Sequence, residues 1–137
     1  MSQAPVISIV DDDPSVRVAT DRLVRSLGYT AYTFASADEF LKSPQLAASS
    51  CLIADVQMPH MSGTELQDAL QRRGCDLPII FITAFPDREI RSRALDAGAL
   101  GFLAKPFDES ALVKSIDAAL DRRPPDGHAA SSAPSAP

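Results

Sequence analysis

No apolar run in the 137 residues approaches the roughly 20 that a membrane-spanning helix needs. A secretory signal is missing too, because Met1 to Pro5 has no basic cluster and Val6 to Val10 is too short for the apolar segment of one. Both absences point to a cytoplasmic chain. Cysteine is scarce: Cys51 lies in an apolar run and Cys75 in a turn, with no C-x-x-C pair and no neighbouring His cluster. That excludes a disulfide framework and a cysteine-ligated zinc site. Basic residues number 13 against 18 acidic ones, a net charge of −5. Direct nucleic-acid binding needs a concentrated basic face and is not expected. The local group Arg88, Arg91 and Arg93 reads as a solvated helix face. What is present is ordinary for a globular domain, with 45% hydrophobic and 23% charged residues in a length suited to one core.

Short β-rich runs alternate with amphipathic stretches, the pattern of a parallel α/β sheet. Strands are predicted at Val6 to Val10, Thr30 to Phe34, Cys51 to Ala54, Ile79 to Thr83 and Gly101 to Ala104. Asp13 followed by Pro14 makes a helix start, and Gly28 its stop. Between them Val16, Ala19, Leu23 and Leu27 recur at helical spacing and are expected to face the sheet. Ser36 with Glu39, and Ser62 with Glu65, each carry the capping-box spacing; the helix after Ser36 should end before Pro44. The next helix carries Leu66, Ala69 and Leu70 and stops at Gly74; another carries Ile90, Ala94 and Leu95 and runs to Gly98. A last helix from Asp108 aligns Leu112, Val113, Ile116 and Leu120. Five β-α units thus predict a doubly wound five-stranded sheet with five helices on its two faces. The folded domain is expected over 1–120, and the Pro/Ala/Ser-rich 121–137 as a disordered tail or linker.

Ligands of such sheets bind at the carboxyl ends of the strands. There the chain places Asp11 and Asp12 after the first strand, Asp55 after the third, Thr83 at the end of the fourth and Lys105 at the end of the fifth. Each has a bland reading alone: a turn aspartate, a β-branched strand residue, a surface lysine. Asp13 is read simply as a helix cap. Jointly they gather carboxylates, a hydroxyl and an ammonium in one cleft. Carboxylates about 4 Å apart repel by roughly 4 kcal/mol at an effective dielectric near 20, so the cluster implies a cation or raised pKa values. Hard oxygen donors suit Mg²⁺ or Mn²⁺.

The segments I-V-D-D-D-P at Ile9 to Pro14, D-V-Q-M-P-x-M-S-G at Asp55 to Gly63, F-I-T-A at Phe81 to Ala84 and G-F-L-A-K-P-F at Gly101 to Phe107 resemble the response-regulator receiver family. The likeness extends from Val6 to Leu120. It implies a flavodoxin-like strand order 2-1-3-4-5. It also implies that Asp55 accepts a phosphoryl group, with Asp12, Asp55 and the backbone carbonyl of Gln57 binding the metal and Asp11 acting mainly through metal-bound water. By the same resemblance Lys105 supplies a second positive charge, Thr83 turns toward the phosphoryl oxygens, Phe102 moves inward behind it, and Lys105-Pro106 is a cis bond. Gln57 and Phe85 occupy positions that vary among relatives, and Pro86 restricts the loop that follows Thr83. His60 reads as an exposed loop residue, and His128 falls in the tail.

The implied function is a phosphorylation switch rather than a conventional enzyme, although the chain assists its own phosphorylation and dephosphorylation. Its partners would be a sensor histidine kinase or phosphotransfer protein and a downstream effector or output domain. A homodimer formed on phosphorylation would use the helix after the fourth strand, the fifth strand and the last helix. Three other readings compete. A haloacid-dehalogenase-type phosphatase needs D-x-D after its first strand, which Asp11 and Asp13 match in spacing. A flavin module would need a phosphate-cradling loop where three carboxylates stand, so no organic cofactor is expected. The third is a receiver cut from a longer transcription factor, with the tail as its linker.

Overall fold

The computed structural model describes residues 4–122. Five strands, β1 (Val6–Val10), β2 (Thr30–Phe34), β3 (Cys51–Asp55), β4 (Ile79–Thr83) and β5 (Gly101–Ala104), pair in parallel in the order β2-β1-β3-β4-β5. Six helices rather than five accompany them: α1 (Pro14–Ser26), α2 (Ala37–Lys42), α3 (Gln45–Ala48), α4 (Gly63–Arg72), α5 (Arg88–Asp96) and α6 (Glu109–Arg122). The extra one is the single turn α3, whose four residues are too few to show a periodic apolar face. α6 runs two residues past the expected domain end, and the remainder of the expected tail lies outside the described residues. No helix among the described residues is long and apolar enough to cross a membrane.

Every residue of β3 and β4 is buried, as strands covered on both faces require. Side-chain alternation divides their residues between two cores. Ile7, Ile9, Ile53, Ile80 and Ile82 face one cluster with Val24 of α1 and Leu112 and Ile116 of α6; Val10, Leu52, Ala54 and Phe81 face the other with Phe40, Leu66, Leu70 and Ala94. The edge strands β2 and β5 are less covered.

The helix boundaries follow local chemistry. The Asp13 carboxylate accepts from the Ser15 amide at 2.9 Å, and Pro14 opens α1. Gly28, at φ 95°, takes the left-handed turn that ends it. The buried stripe of α1 runs through Thr20 and Val24, however, whereas Ala19 and Leu27 are exposed. Thr20 can be buried because its hydroxyl donates back to the Val16 carbonyl at 2.8 Å. Ser62 and Glu65 form the full reciprocal capping box at 3.2 and 2.9 Å. At α2 only half of the expected box closes: Ser36 Oγ accepts from the Glu39 amide at 3.1 Å, but the Glu39 carboxylate reaches the Ala35 amide instead. α2 ends at Lys42, before Pro44 as expected, and α3 then brings Ser49 over the sheet. Ser8, fully buried in β1, meets the Ser49 hydroxyl at 2.6 Å, while Ser49 donates to the Gln45 carbonyl.

Candidate functional site

Register brings the carboxyl ends of β1, β3, β4 and β5 to one edge, and the residues singled out by sequence meet there. Asp11 leaves β1 fully buried. Its carboxylate is oriented by the Asp13 amide at 2.9 Å, and Arg17 Nη1 binds its backbone carbonyl at 2.7 Å. Asp12 is exposed beside it. Asp55 ends β3 and is 5% exposed. One carboxylate oxygen from each of Asp11, Asp12 and Asp55 lies within 4.8 Å of the other two.

Lys105 closes the cluster. Its backbone amide donates to the Thr83 carbonyl at 2.7 Å, and the cis bond to Pro106 follows. The ammonium Nζ stands 3.1 Å from Asp11 Oδ2 and 3.3 Å from Asp55 Oδ2. Burial, together with the charges of Asp11 and Asp12, pushes the Asp55 carboxyl up from 3.8 to about 6 against the opposing pull of Lys105. For Lys105 burial acts downward, but the hydrogen bond and charge of Asp11, then those of Asp55, carry its pKa above the usual 10.5. Asp55 Oδ1 is buried with no hydrogen-bond partner. A carboxylate oxygen in that condition is costly unless a cation or a proton meets it. The three hard oxygen donors that Asp11, Asp12 and Asp55 supply together fit Mg²⁺ or Mn²⁺.

The loop after β3 is tightly tied. The Val56 amide donates to the Ile82 carbonyl at 3.0 Å, and the Gly63 amide to the Val56 carbonyl at 2.9 Å. A Cβ on Gly63 would stand 2.4 Å from the Asp55 carbonyl oxygen, so only glycine lets α4 start this close to the site. His60 in that loop is exposed with φ 71°.

Thr83 is fully buried; its Oγ1 accepts from the Phe85 amide at 3.1 Å and its hydroxyl donates to the Gln57 side-chain carbonyl oxygen. That second contact was not legible in the sequence, where only the main chain of Gln57 had a role. Phe102 is half-buried on β5, with its ring centroid 6.2 Å from that of its register partner Phe81. Phe85 is 72% exposed beside the site. Asp13 stands apart from the acidic cluster in its bonding, since its carboxylate serves the α1 amides.

The family model for the response regulator receiver domain matches residues 7–117. The response regulator protein TodT of Pseudomonas putida is 44% identical over 122 residues, 89% of this chain and 54% of TodT. The structure of the response regulator StyR superposes with a TM-score of 0.80 at 43% identity, covering 87% of this chain and 60% of that one. Vibrio cholerae chemotaxis protein CheY4 gives 0.78 at 30% identity, over 86% of this chain and 100% of its own. The chain thus spans about half the length of TodT. With sheet order and sequence in agreement, the chain belongs to the response regulator receiver domains of two-component systems, which are signalling domains rather than conventional enzymes.

Proposed function

We propose that Asp55 accepts a phosphoryl group from the phosphohistidine of a sensor kinase or phosphotransfer protein, and that the resulting change of surface regulates an effector or output domain. The observation that carries this reading is the Asp55 carboxylate itself, buried, with one oxygen 3.3 Å from Lys105 Nζ and the other without a partner. In the transfer an Asp55 oxygen forms the bond to phosphorus as the phosphorus–nitrogen bond of the donor breaks, and the departing imidazole keeps that electron pair and takes a proton. Attack by a carboxylate on an anionic group needs positive charge at the acceptor. Lys105 provides one charge from a position fixed by Asp11. A divalent ion, when bound, supplies the other; Asp12, Asp55 and the main-chain carbonyl of Gln57 would hold it, with Asp11 acting through bound water. Thr83 and Phe102 form the switch that reads the modified aspartate.

Asp13, whose Oδ1 caps α1 by accepting from the Ser15 and Val16 amides, favours this reading over the phosphatase one, which would need that aspartate for its chemistry. Residues 4–122 then belong to the receiver domain, and the expected linker or tail beyond them lies outside the described residues, in a chain that works in the cytoplasm. Pairing of two copies after phosphorylation would use α5, β5 and α6.

Incubation with acetyl phosphate and Mg²⁺, followed by mass mapping, tests the assignment. Modification is expected on Asp55 alone and is expected to vanish in Asp55→Asn, whose amide is not a nucleophile. Undiminished labelling of that variant, or measurable turnover of small phosphoesters, would overturn the reading.

A further inference from the structure

The hydroxyl of Thr83 has both its bonding directions in use. The Phe85 amide donates to Oγ1 at 3.1 Å, and the hydroxyl hydrogen is given to Gln57 Oε1. A hydroxyl has one hydrogen to give. It cannot serve Gln57 and a phosphoryl oxygen on Asp55 at once. We infer that the Gln57 side chain is a positioning residue: its carbonyl holds the Thr83 hydroxyl in the unmodified protein and must release it before the switch engages. The inference rests on the reading of Asp55 as phosphoacceptor and goes beyond it, because that reading uses only the main chain of Gln57.

Burial makes the competition one-sided. Thr83 is fully buried, so its hydroxyl depends on a protein acceptor, whereas Gln57 is exposed and water can replace the bond that its carbonyl loses. Removing the Gln57 acceptor therefore destabilises chiefly the unmodified state, in which Thr83 has no phosphoryl oxygen to turn to. The bound state keeps its own acceptor. A ligand shifts a two-state element only by its differential interaction with the two states, so weakening the resting bond raises apparent affinity for whatever replaces it. The side chain at position 57 thereby sets the threshold of the switch without touching the phosphorus.

The test is titration of the full chain, in the presence of Mg²⁺, with beryllofluoride as the phosphoryl mimic. Four proteins are compared: wild type, Gln57→Met, Thr83→Val and the double variant. Methionine keeps the length of the side chain and is a poor acceptor; at an exposed position it is tolerated by the fold. A net hydrogen bond of about 1 kcal/mol corresponds to roughly fivefold in a binding constant, so Gln57→Met should lower half-saturation about fivefold. In the Thr83→Val background the same substitution should have no effect. The ¹H–¹³C signal of the Thr83 methyl group in ligand-free Gln57→Met should move toward its beryllofluoride-bound position. Weaker binding by Gln57→Met, an equal effect in both backgrounds, or an unmoved Thr83 signal would each overturn the inference while leaving Asp55 as the acceptor. Failure of the wild type to bind beryllofluoride would overturn the underlying reading and this inference with it.

Discussion

Asp55 is held in a condition that costs stability. Its pKa is about 6 in the folded chain against an ordinary 3.8, so the folded state binds this proton more tightly than the unfolded state does. With the folded value raised, the destabilising contribution is fully present above about pH 6 and fades as pH falls from there toward 3.8. Asp55→Asn is therefore expected to raise the melting temperature of the metal-free protein at pH 7.5, with a smaller gain at pH 5. Equal gains at the two pH values in thermal scans would show that the carboxyl is not strained in this way. Lys105 responds in the opposite range. Its raised pKa means that the stability it contributes is complete below 10.5 and is lost only as pH rises through the folded value. The sequence announced both residues because each stands at a strand end, but the raised Asp55 pKa comes from burial and from the charges of Asp11 and Asp12, which only the folded chain brings beside it.

At the level of elements, two contacts hold neighbouring segments together, and neither is a property of one segment. α4 begins against the end of β3. Gly63→Ala would put a methyl group 2.4 Å from the Asp55 carbonyl oxygen and 3.0 Å from the Phe81 ring. Overpacking of this kind costs about 1 to 3 kcal/mol, and the backbone oxygen cannot move aside without moving Asp55. Urea unfolding should show that loss, together with slower labelling by acetyl phosphate; unchanged stability would mean that the loop absorbs the methyl group. The second contact ties α3 to β1. Ser49→Ala leaves the buried Ser8 hydroxyl without an acceptor and should cost about 1 to 3 kcal/mol. Ser8→Ala removes the group that needs the bond, so the double variant should recover most of the loss. Strict additivity in the unfolding free energies would sink that account. The one-turn helix responsible is invisible in the sequence because four residues carry no period, and its value lies in a partner 41 positions away.

For the whole molecule, a metal that binds the folded but not the unfolded chain must stabilise it, by about 2.7 kcal/mol at 100 times the dissociation constant. Mg²⁺ should accordingly raise the melting temperature, EDTA should reverse the rise, and Asp12→Ala should move the titration to higher concentration. Asp12 is exposed, so its removal acts on the metal more than on the core. An identical Mg²⁺ dependence in the variant would exclude Asp12 as a ligand. Sequence by itself determined the sheet, its five strands and the strand-end residues Asp11, Asp12, Asp55, Thr83 and Lys105, because period, caps and turn residues are local and a parallel sheet sends all its carboxyl ends to one edge. Tertiary structure alone decided which stripe of α1 is buried, where the Glu39 carboxylate goes, and that Gln57 rather than a strand neighbour takes the Thr83 hydroxyl. These outcomes depend on which donors and acceptors remain unpaired once distant segments have packed, and burial, unlike periodicity, is a property of the assembled chain.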